Sequence, residues 1–191
     1  MPLTLLLPRE AVSMKFQIPI GDLRGDPQVY GPIVDALADG PRSYGDLARS
    51  RPLQGLREGA VLQALSVLVG GRQVHPFASD AGDCEPAARF NRAVLDRLAF
   101  GETPRHLASG RTGTGLGLEF EELIAVQAAL SDEGAADAAR RGWAIMARTG
   151  RRLVMDGAVL SDQAANEAEL AERIARFNVA KLPLLRTLGV V

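Results

Sequence analysis

The segment from Gly110 to Gly117 constrains the fold most, because four of its eight residues are glycine. Glycine adopts positive φ angles without steric cost, so this composition is typical of a tight or flexible turn and not of a long regular element. The segments on either side have apolar residues at helical spacing. We therefore expect the glycine segment to connect two helices.

The same glycines could indicate a cofactor loop, for which three sequence templates are known. A P-loop needs Lys and then Ser or Thr after its last glycine, but Leu116 and Gly117 stand at those positions. A dinucleotide site needs a buried strand before the glycines, and residues 105–110 predict none. A methyltransferase glycine motif also needs a preceding strand and alternating strands and helices afterwards. We expect no cofactor, which disfavours a small enzyme built on residues 110–117.

Composition narrows the remaining function classes. Hydrophobic residues make up 47% of the 191 residues and aromatic residues only 5%, which favours a mainly helical core of Leu, Val and Ala. The 22 basic and 23 acidic residues nearly cancel, so no electrostatic footprint for nucleic acid is present. Cys84 is the single cysteine, which is typical of the reducing cytoplasm. The apolar run near Met1 is too short to span a membrane.

The first part of the chain follows a strand–helix–helix–helix–strand order. The first predicted elements are a strand over Lys15–Ile20 with Pro19 at a sheet edge, and a helix capped by Asp26 with Val29, Ile33, Val34 and Leu37 at helical spacing. A short helix capped by Ser43 follows, and the chain then predicts a third helix from Leu56 to Val69 and a strand from Gln73 to Phe77. The apolar face of the third helix is predicted to consist of Val61, Leu62, Leu65, Leu68 and Val69. This order is that of a winged helix. We predict a winged-helix-like subdomain over residues 1–80.

The third predicted helix would be the recognition helix in a DNA-binding winged helix. Its candidate exposed residues are Arg57, Glu58, Gln63 and Ser66. One arginine beside a glutamate is a poor surface for phosphate contacts. We therefore favour packing against protein and keep a DNA-binding transcriptional regulator as the alternative.

The second part, residues 81–191, follows the polar link Ser79–Asp83 and predicts a helical subdomain. The first predicted helix of this part begins at Glu85-Pro86 and has Phe90, Val94, Leu95 and Leu98 on one face. A second covers residues 121–130, and a third is capped by Asp132 and includes Trp143. The last predicted helix carries Leu170, Ile174 and Phe177. Residues 153–160 could form a hairpin around Asp156-Gly157, or a helix end, a turn and a new start at Ser161. We favour the second alternative because the surroundings are helical.

Other reactive residues form no catalytic constellation. His75 and His106 lack acidic partners at ligand spacing, so we expect no metal site. Ser109 does not lie in a Gly-x-Ser-x-Gly nucleophile elbow. No catalytic, cofactor-binding or metal-binding residue is therefore assigned.

Several segments together resemble the regulatory region of bacterial S-adenosylmethionine-dependent methyltransferases, some of which methylate protein lysines. The similar segments are Asp26-Pro27 before a helix ending in Ala-Asp-Gly-Pro, Ser43-Tyr-Gly-Asp-Leu-Ala48, Pro86-Ala-Ala-Arg-Phe-Asn91, Leu107-Ala-Ser-Gly-Arg-Thr-Gly-Thr-Gly115, and Phe177 with Leu182-Pro-Leu-Leu-Arg-Thr-Leu-Gly189. Thr4–Leu7 looks like the strand with which that region begins. The resemblance covers nearly the whole chain and depends on the order of the segments.

The resemblance implies a non-catalytic module that regulates a methyltransferase or recognises its protein substrate. In such proteins a catalytic Rossmann-like domain precedes this region, and we expect that domain to be absent from this chain and to act in cis or in trans. The implied partners are that catalytic domain or its protein substrate. The candidate interaction surface consists of Arg57, Gln63, Ser109, Arg111 and Thr112.

Overall fold

The computed structural model describes residues 1–18, 21–57, 59–80 and 82–191, and it is mainly α-helical. The chain divides into two units, Met1–Ala81 and Gly82–Val191. The expected mainly helical class is confirmed at this level. Each unit has its own buried apolar residues and is described separately.

The described part of the first unit contains five short strands and three α-helices. In chain order they are β1 (Pro2–Leu5), β2 (Lys15–Ile18), β3 (Gly21–Arg24), α1 (Pro27–Ala38), β4 (Arg42–Ser43), α2 (Tyr44–Arg49), α3 (Ala60–Gly70) and β5 (Val74–Pro76). Strand β1 lies between β4 and β5 and is antiparallel to both, while β2 and β3 form a separate hairpin.

Local capping explains where the first two helices begin. The Asp26 side chain accepts a 2.9 Å hydrogen bond from the Gln28 backbone N–H, and Pro27 occupies the first turn of α1. At α2, Ser43 and Asp46 form a reciprocal capping box. These elements enclose an apolar core whose fully buried members include Ile33, Val34, Leu37, Leu68 and Val74.

Several boundaries in this unit differ from the sequence expectation. Helix α3 begins at Ala60 and not at Leu56, because Gly59 adopts φ +81° immediately before it. The first strand is Pro2–Leu5 and not Thr4–Leu7. The predicted strand from Lys15 ends at Ile18, and Pro19 with Ile20 lies outside the described residues.

The second unit contains five α-helices and two hairpins. They are α4 (Glu85–Asp96), β6 (His106–Ser109), β7 (Thr114–Gly117), α5 (Phe120–Leu130), α6 (Ala135–Arg148), β8 (Val154–Met155), β9 (Ala158–Val159), α7 (Gln163–Ala180) and α8 (Leu182–Thr187). Its core lies where α5, α6 and α7 pack together. A Cβ atom on Gly142 of α6 would lie 2.8 Å from Leu170 Cδ2 and 3.2 Å from Ile124 Cγ2, so the absence of a side chain permits close helix packing.

Ionic contacts also connect the helices of this unit. Arg173 of α7 donates to Glu169 at 2.7 Å and to Glu121 of α5 at 2.8 Å. These two hydrogen bonds raise the pKa of the Arg173 guanidinium, and the bond to Glu169 has the larger effect. Lys181 similarly donates to Glu122 at 2.8 Å.

Two expectations for α4 and α6 were wrong. Phe90 is 56% exposed, and Asn91 takes the inward position on α4. Asp132 has φ +51° and does not cap α6, whose N-cap is Gly134.

Residues 154–159 form a hairpin, contrary to the helical alternative that we favoured. Asp156 and Gly157 have φ angles of +51° and +80°, as a two-residue type I′ turn requires.

Candidate interaction site

The glycine segment forms the turn and second strand of a β-hairpin. Strands β6 and β7 pair antiparallel, with His106 opposite Gly117 and Ser109 opposite Thr114. The expectation that no strand precedes the glycines was therefore wrong. Strand β6 has only four residues, but its Leu107 is fully buried. The next element is a paired strand and not a helix, so the order still differs from a dinucleotide-binding turn.

The backbone donors of the turn are all occupied within the protein. Gly110 and Arg111 donate to the carbonyl oxygens of Gly189 and Leu188, each at 3.2 Å. Thr112 donates to Ser109 Oγ at 3.1 Å, and Gly113 donates to the Ser109 carbonyl oxygen at 3.0 Å. A phosphate-binding loop needs such N–H groups to point at its ligand. Here the four N–H groups instead attach the turn to the segment after α8 and close it on itself.

Ser109 is an interior residue of this arrangement. Its side chain is only 3% exposed, and Oγ donates a 2.6 Å hydrogen bond to the Leu188 carbonyl oxygen. Ser109 therefore does not belong to an interaction surface, which corrects the sequence assignment. The turn is also close to Cys84, since a Cβ atom on Gly110 would lie 2.6 Å from Cys84 Sγ.

Asn91 is a buried polar residue whose structural role the sequence analysis missed. Its Nδ2 donates to the Ala108 carbonyl oxygen at 2.8 Å and to that of Val190 at 2.9 Å. Its Oδ1 accepts from the Ala108 N–H at 2.7 Å. The side chain thus connects α4, β6 and the segment after α8. The available signal was its position four residues before the buried Leu95 on one helix face.

The other candidate surface residues fall into different units. Arg57 and Gln63 are exposed in the first unit, and Arg111 and Thr112 are half-buried in the second. The Oγ1 atom of Thr112 is buried and, among the described residues, has no hydrogen-bond partner. Glu58, the neighbour of Arg57 in the predicted recognition surface, lies outside the described residues.

Helix α3 presents an uncharged surface to solvent. Its exposed side chains are Leu62 at 55%, Val69 at 37%, Gln63 and Ser66. The expectation that Leu62 and Val69 belong to the buried face of this helix was therefore wrong. The helix itself contains no charged residue. Arg57 precedes the helix and is not part of it. The outward face of α3 therefore combines apolar and neutral polar groups, which suits contact with protein better than contact with phosphates.

The described residues also bear on metal sites and membrane spans. No group of three or more His, Cys, Asp or Glu residues in this part of the chain could hold a metal ion. None of the described helices combines the length and apolar character needed to cross a membrane.

Comparison with known proteins gives one relative without an assigned function. The chain is similar to the uncharacterized protein sll1526 of Synechocystis sp., with 28% identity over 189 residues. The alignment covers 97% of this chain but 37% of the relative, so the chain spans little more than a third of the relative's length. No family model matches the chain. No solved structure matches it either.

Proposed function

We propose that the chain is a non-catalytic regulatory or substrate-recognition module of an S-adenosylmethionine-dependent protein methyltransferase. It acts through protein–protein contacts, with the catalytic domain in cis or in trans or with the protein substrate. The observation that carries the proposal is the glycine turn, whose four N–H groups bind Ser109, Leu188 and Gly189. The turn serves the fold of the second unit and leaves methyl transfer to another domain.

A winged-helix-like architecture of the first unit is part of this proposal. The order β1, α1, β4, α2, α3 and β5, with a three-stranded β4-β1-β5 sheet, supports it. The neutral outer face of α3 supports a protein-binding role for this unit. The single half-buried cysteine, Cys84, supports a cytoplasmic location.

The length of the relative supports a modular arrangement. Most of sll1526 lies outside the region that aligns with this chain. A regulatory module joined to a catalytic domain would have this relationship. In such an arrangement, methyl transfer would belong to a domain outside the region that aligns with this chain.

Calorimetric titration of the chain with S-adenosylmethionine tests the non-catalytic assignment. We expect no saturable heat, because the glycine turn offers no free cradle of N–H groups. Saturable binding with a micromolar Kd would contradict the proposal. S-adenosylhomocysteine serves as a second probe, since methyltransferases commonly bind the product as well.

A methyl-transfer assay tests the regulatory role. The part of sll1526 outside the aligned region is incubated with tritiated S-adenosylmethionine and cell extract, with and without the aligned region added in trans. We expect the added region to change the rate of protein methylation or the set of proteins labelled. Identical labelling with and without it would remove the support for a regulatory module.

A DNA-binding regulator is the second candidate, favoured by the helix order of the first unit. A gel shift with random duplex DNA at low salt distinguishes the two functions. We expect no tight, salt-sensitive complex, because α3 contains no Lys or Arg. Such a complex would favour the DNA-binding function instead.

A further inference from the structure

The second unit contains an open cleft at the end of the β6–β7 hairpin away from the glycine turn. Its volume is about 550 Å³. Three segments line it: residues 103–106 leading into β6, residues 117–120 between β7 and α5, and Arg151 after α6. The volume lies within the range of about 300–1,000 Å³ that ligand sites commonly have.

Positive charge exceeds negative charge in this cleft. Arg105 and Arg151 line it together with His106, while Glu119 is its only carboxylate among the described lining residues. The Glu119 side chain already accepts a hydrogen bond from the Glu122 backbone N–H in the capping box of α5. Within the described part of the chain, neither Arg105 nor Arg151 forms an ion pair. Their guanidinium donors remain available to a ligand.

The two arginines differ in how firmly their side chains are held in place. Arg151 lies over the Phe120 ring, with its guanidinium carbon 5.2 Å from the ring centroid. This contact orients one cation at the wall of the cleft. Arg105 is exposed and has no such contact in the described structure, so it can adjust to a bound group. An oriented and an adjustable guanidinium together suit carboxylates on a flexible chain.

The wall of the cleft also suits an extended peptide. The His106 ring lies beside Gly117, since a Cβ atom there would be 3.9 Å from His106 Nε2. Gly115 and Gly117 are exposed and carry no side chains that would keep a ligand from the β7 backbone. Among the described strands, β7 pairs with β6 alone, so its other edge can form backbone hydrogen bonds.

We propose that this cleft binds an extended acidic peptide segment of a partner protein. Carboxylate side chains of that segment pair with Arg105 and Arg151, and its backbone lies along β7 near His106. The inference builds on the proposed protein-binding function and names the chemistry of the partner. A protein segment fits better than nucleic acid because the chain has a net charge of −1 and the cleft presents only two arginines.

Peptide selection tests the proposal on the full chain. A phage-displayed library of random dodecapeptides is selected on the immobilised protein, and enriched sequences are synthesised with a fluorescein label. We expect enrichment of Asp and Glu, and binding by fluorescence anisotropy that weakens as salt is added. Selection without acidic enrichment, or no enrichment at all, would overturn the proposal.

Variants then locate the binding site. We expect Arg105→Gln with Arg151→Gln to weaken peptide binding at least about tenfold, since charge-assisted hydrogen bonds are lost. Arg105→Lys with Arg151→Lys should retain part of the affinity. The matched control is Arg89→Gln, which removes an exposed guanidinium outside the cleft and should leave affinity unchanged. Equal affinity of the double Gln variant and the wild type would exclude this cleft.

Competition separates a peptide site from a general anion site. Sodium tripolyphosphate and a short single-stranded oligonucleotide are added to the labelled peptide complex. We expect the unlabelled acidic peptide to displace the probe at lower concentration than either competitor. Stronger displacement by tripolyphosphate or by the oligonucleotide would overturn the peptide assignment. The methyl-transfer assay is independent, so a failed peptide experiment with intact regulation would reject this cleft without rejecting the proposed function.

Discussion

Asn91 shows how one polar side chain organises the second unit. Its three hydrogen bonds satisfy the Ala108 N–H and the carbonyl oxygens of Ala108 and Val190 in the interior. Buried backbone groups lose water on folding and are destabilising when they lack a partner. The residue is therefore structural although it lies beside the glycine segment that a cofactor search would examine first.

Replacing Asn91 by Leu should destabilise the second unit by about 2–4 kcal/mol, because backbone groups of Ala108 and Val190 lose their buried partner. The measurement is urea unfolding followed by the fluorescence of Trp143, which belongs to the same unit. Arg92→Gln on the exposed face of α4 is the control and should change stability much less. A loss below about 1 kcal/mol for Asn91→Leu would contradict this role.

Gly110 and Gly115 should respond differently to replacement by Ala. A Cβ atom on Gly110 would lie 2.6 Å from Cys84 Sγ and 2.9 Å from Cys84 Cβ. We therefore expect overpacking in Gly110→Ala to lower the free energy of unfolding by about 1–3 kcal/mol. On Gly115 the nearest atom, His106 Cβ, would be at 3.5 Å, an ordinary contact. Urea unfolding of both variants checks the contrast, and equal stability losses would show that proximity to Cys84 is not the constraint.

At the scale of elements, the sequence predicted helices well where their signals are local. Asp26 and Ser43 cap α1 and α2 as expected, and α7 buries Leu170, Ile174 and Phe177. These features depend on residues within a few positions of each other. The capping residue and the apolar period are therefore visible without knowledge of the tertiary structure.

The wrong predictions about the two hairpins of the second unit concern elements stabilised by distant residues. Asn166 of α7 accepts from the Leu153 N–H at 2.9 Å and donates to the Leu160 carbonyl oxygen at 3.0 Å, so it holds both ends of the β8–β9 hairpin. The hairpin at the glycine segment similarly depends on Asn91 and Leu188. For these two hairpins, the Asp156-Gly157 turn was the one feature that neighbouring residues indicated. The helices predicted on both sides of it led us to favour a helix end over a hairpin. The cleft was not predicted because its lining comes from three separate segments.

Gly142 tests the packing of α6 against α5 and α7. We expect Gly142→Ala to be destabilising by about 1–3 kcal/mol, since its Cβ would meet Leu170 and Ile124 in a filled core. Gly70→Ala in the last turn of α3 is the matched control, because nothing lies within 4 Å of its Cβ position and no proline follows it. The free energy of unfolding of that variant should increase by about 0.5–1 kcal/mol, because Ala has a higher helix propensity than Gly. Thermal unfolding by circular dichroism measures both, and a stabilised Gly142→Ala would show that the helices can separate without loss.

The capping box of α2 should make the stability of the first unit depend on pH. Hydrogen bonds from the Ser43 side chain and backbone lower the pKa of Asp46, and Arg49 lowers it further by a smaller amount. A depressed folded-state pKa stabilises the protein above the unfolded value of about 4, and this contribution disappears as pH falls through the folded value. Asp46→Asn should therefore be less stable than the wild type at pH ~7, with a smaller difference at pH ~3, which is below the unfolded pKa.

The measurement for Asp46 is the urea midpoint of both proteins at the two pH values, followed by far-ultraviolet circular dichroism. Asp22→Asn serves as the control, because the exposed Asp22 caps no helix. If the difference in urea midpoint between Asp46→Asn and the wild type is the same at both pH values, the carboxylate charge does not contribute to stability.

At the scale of the whole molecule, the two units present different kinds of surface. The first has a neutral outer helix face on α3, and the second has a cleft with two arginines that form no ion pair in the described structure. The chain as a whole has nearly balanced charge. Recognition of a partner would therefore depend on these local surfaces, because the net charge supplies little long-range attraction.

The Asn91–Val190 hydrogen bond also has a consequence for the order of folding events. It joins residues 99 positions apart, and closing a flexible loop of this length has an entropic cost of roughly 4 kcal/mol. Helices form within about a microsecond, whereas contacts of high sequence separation form later. In pulse-labelling hydrogen exchange during refolding of the wild type, we expect the helix amides to be protected before those of Gly110 and Arg111, which donate to Gly189 and Leu188. Simultaneous protection would contradict this order. On this order of events, the glycine turn takes its final form among the last steps of folding, when the distant segment that binds its N–H groups arrives.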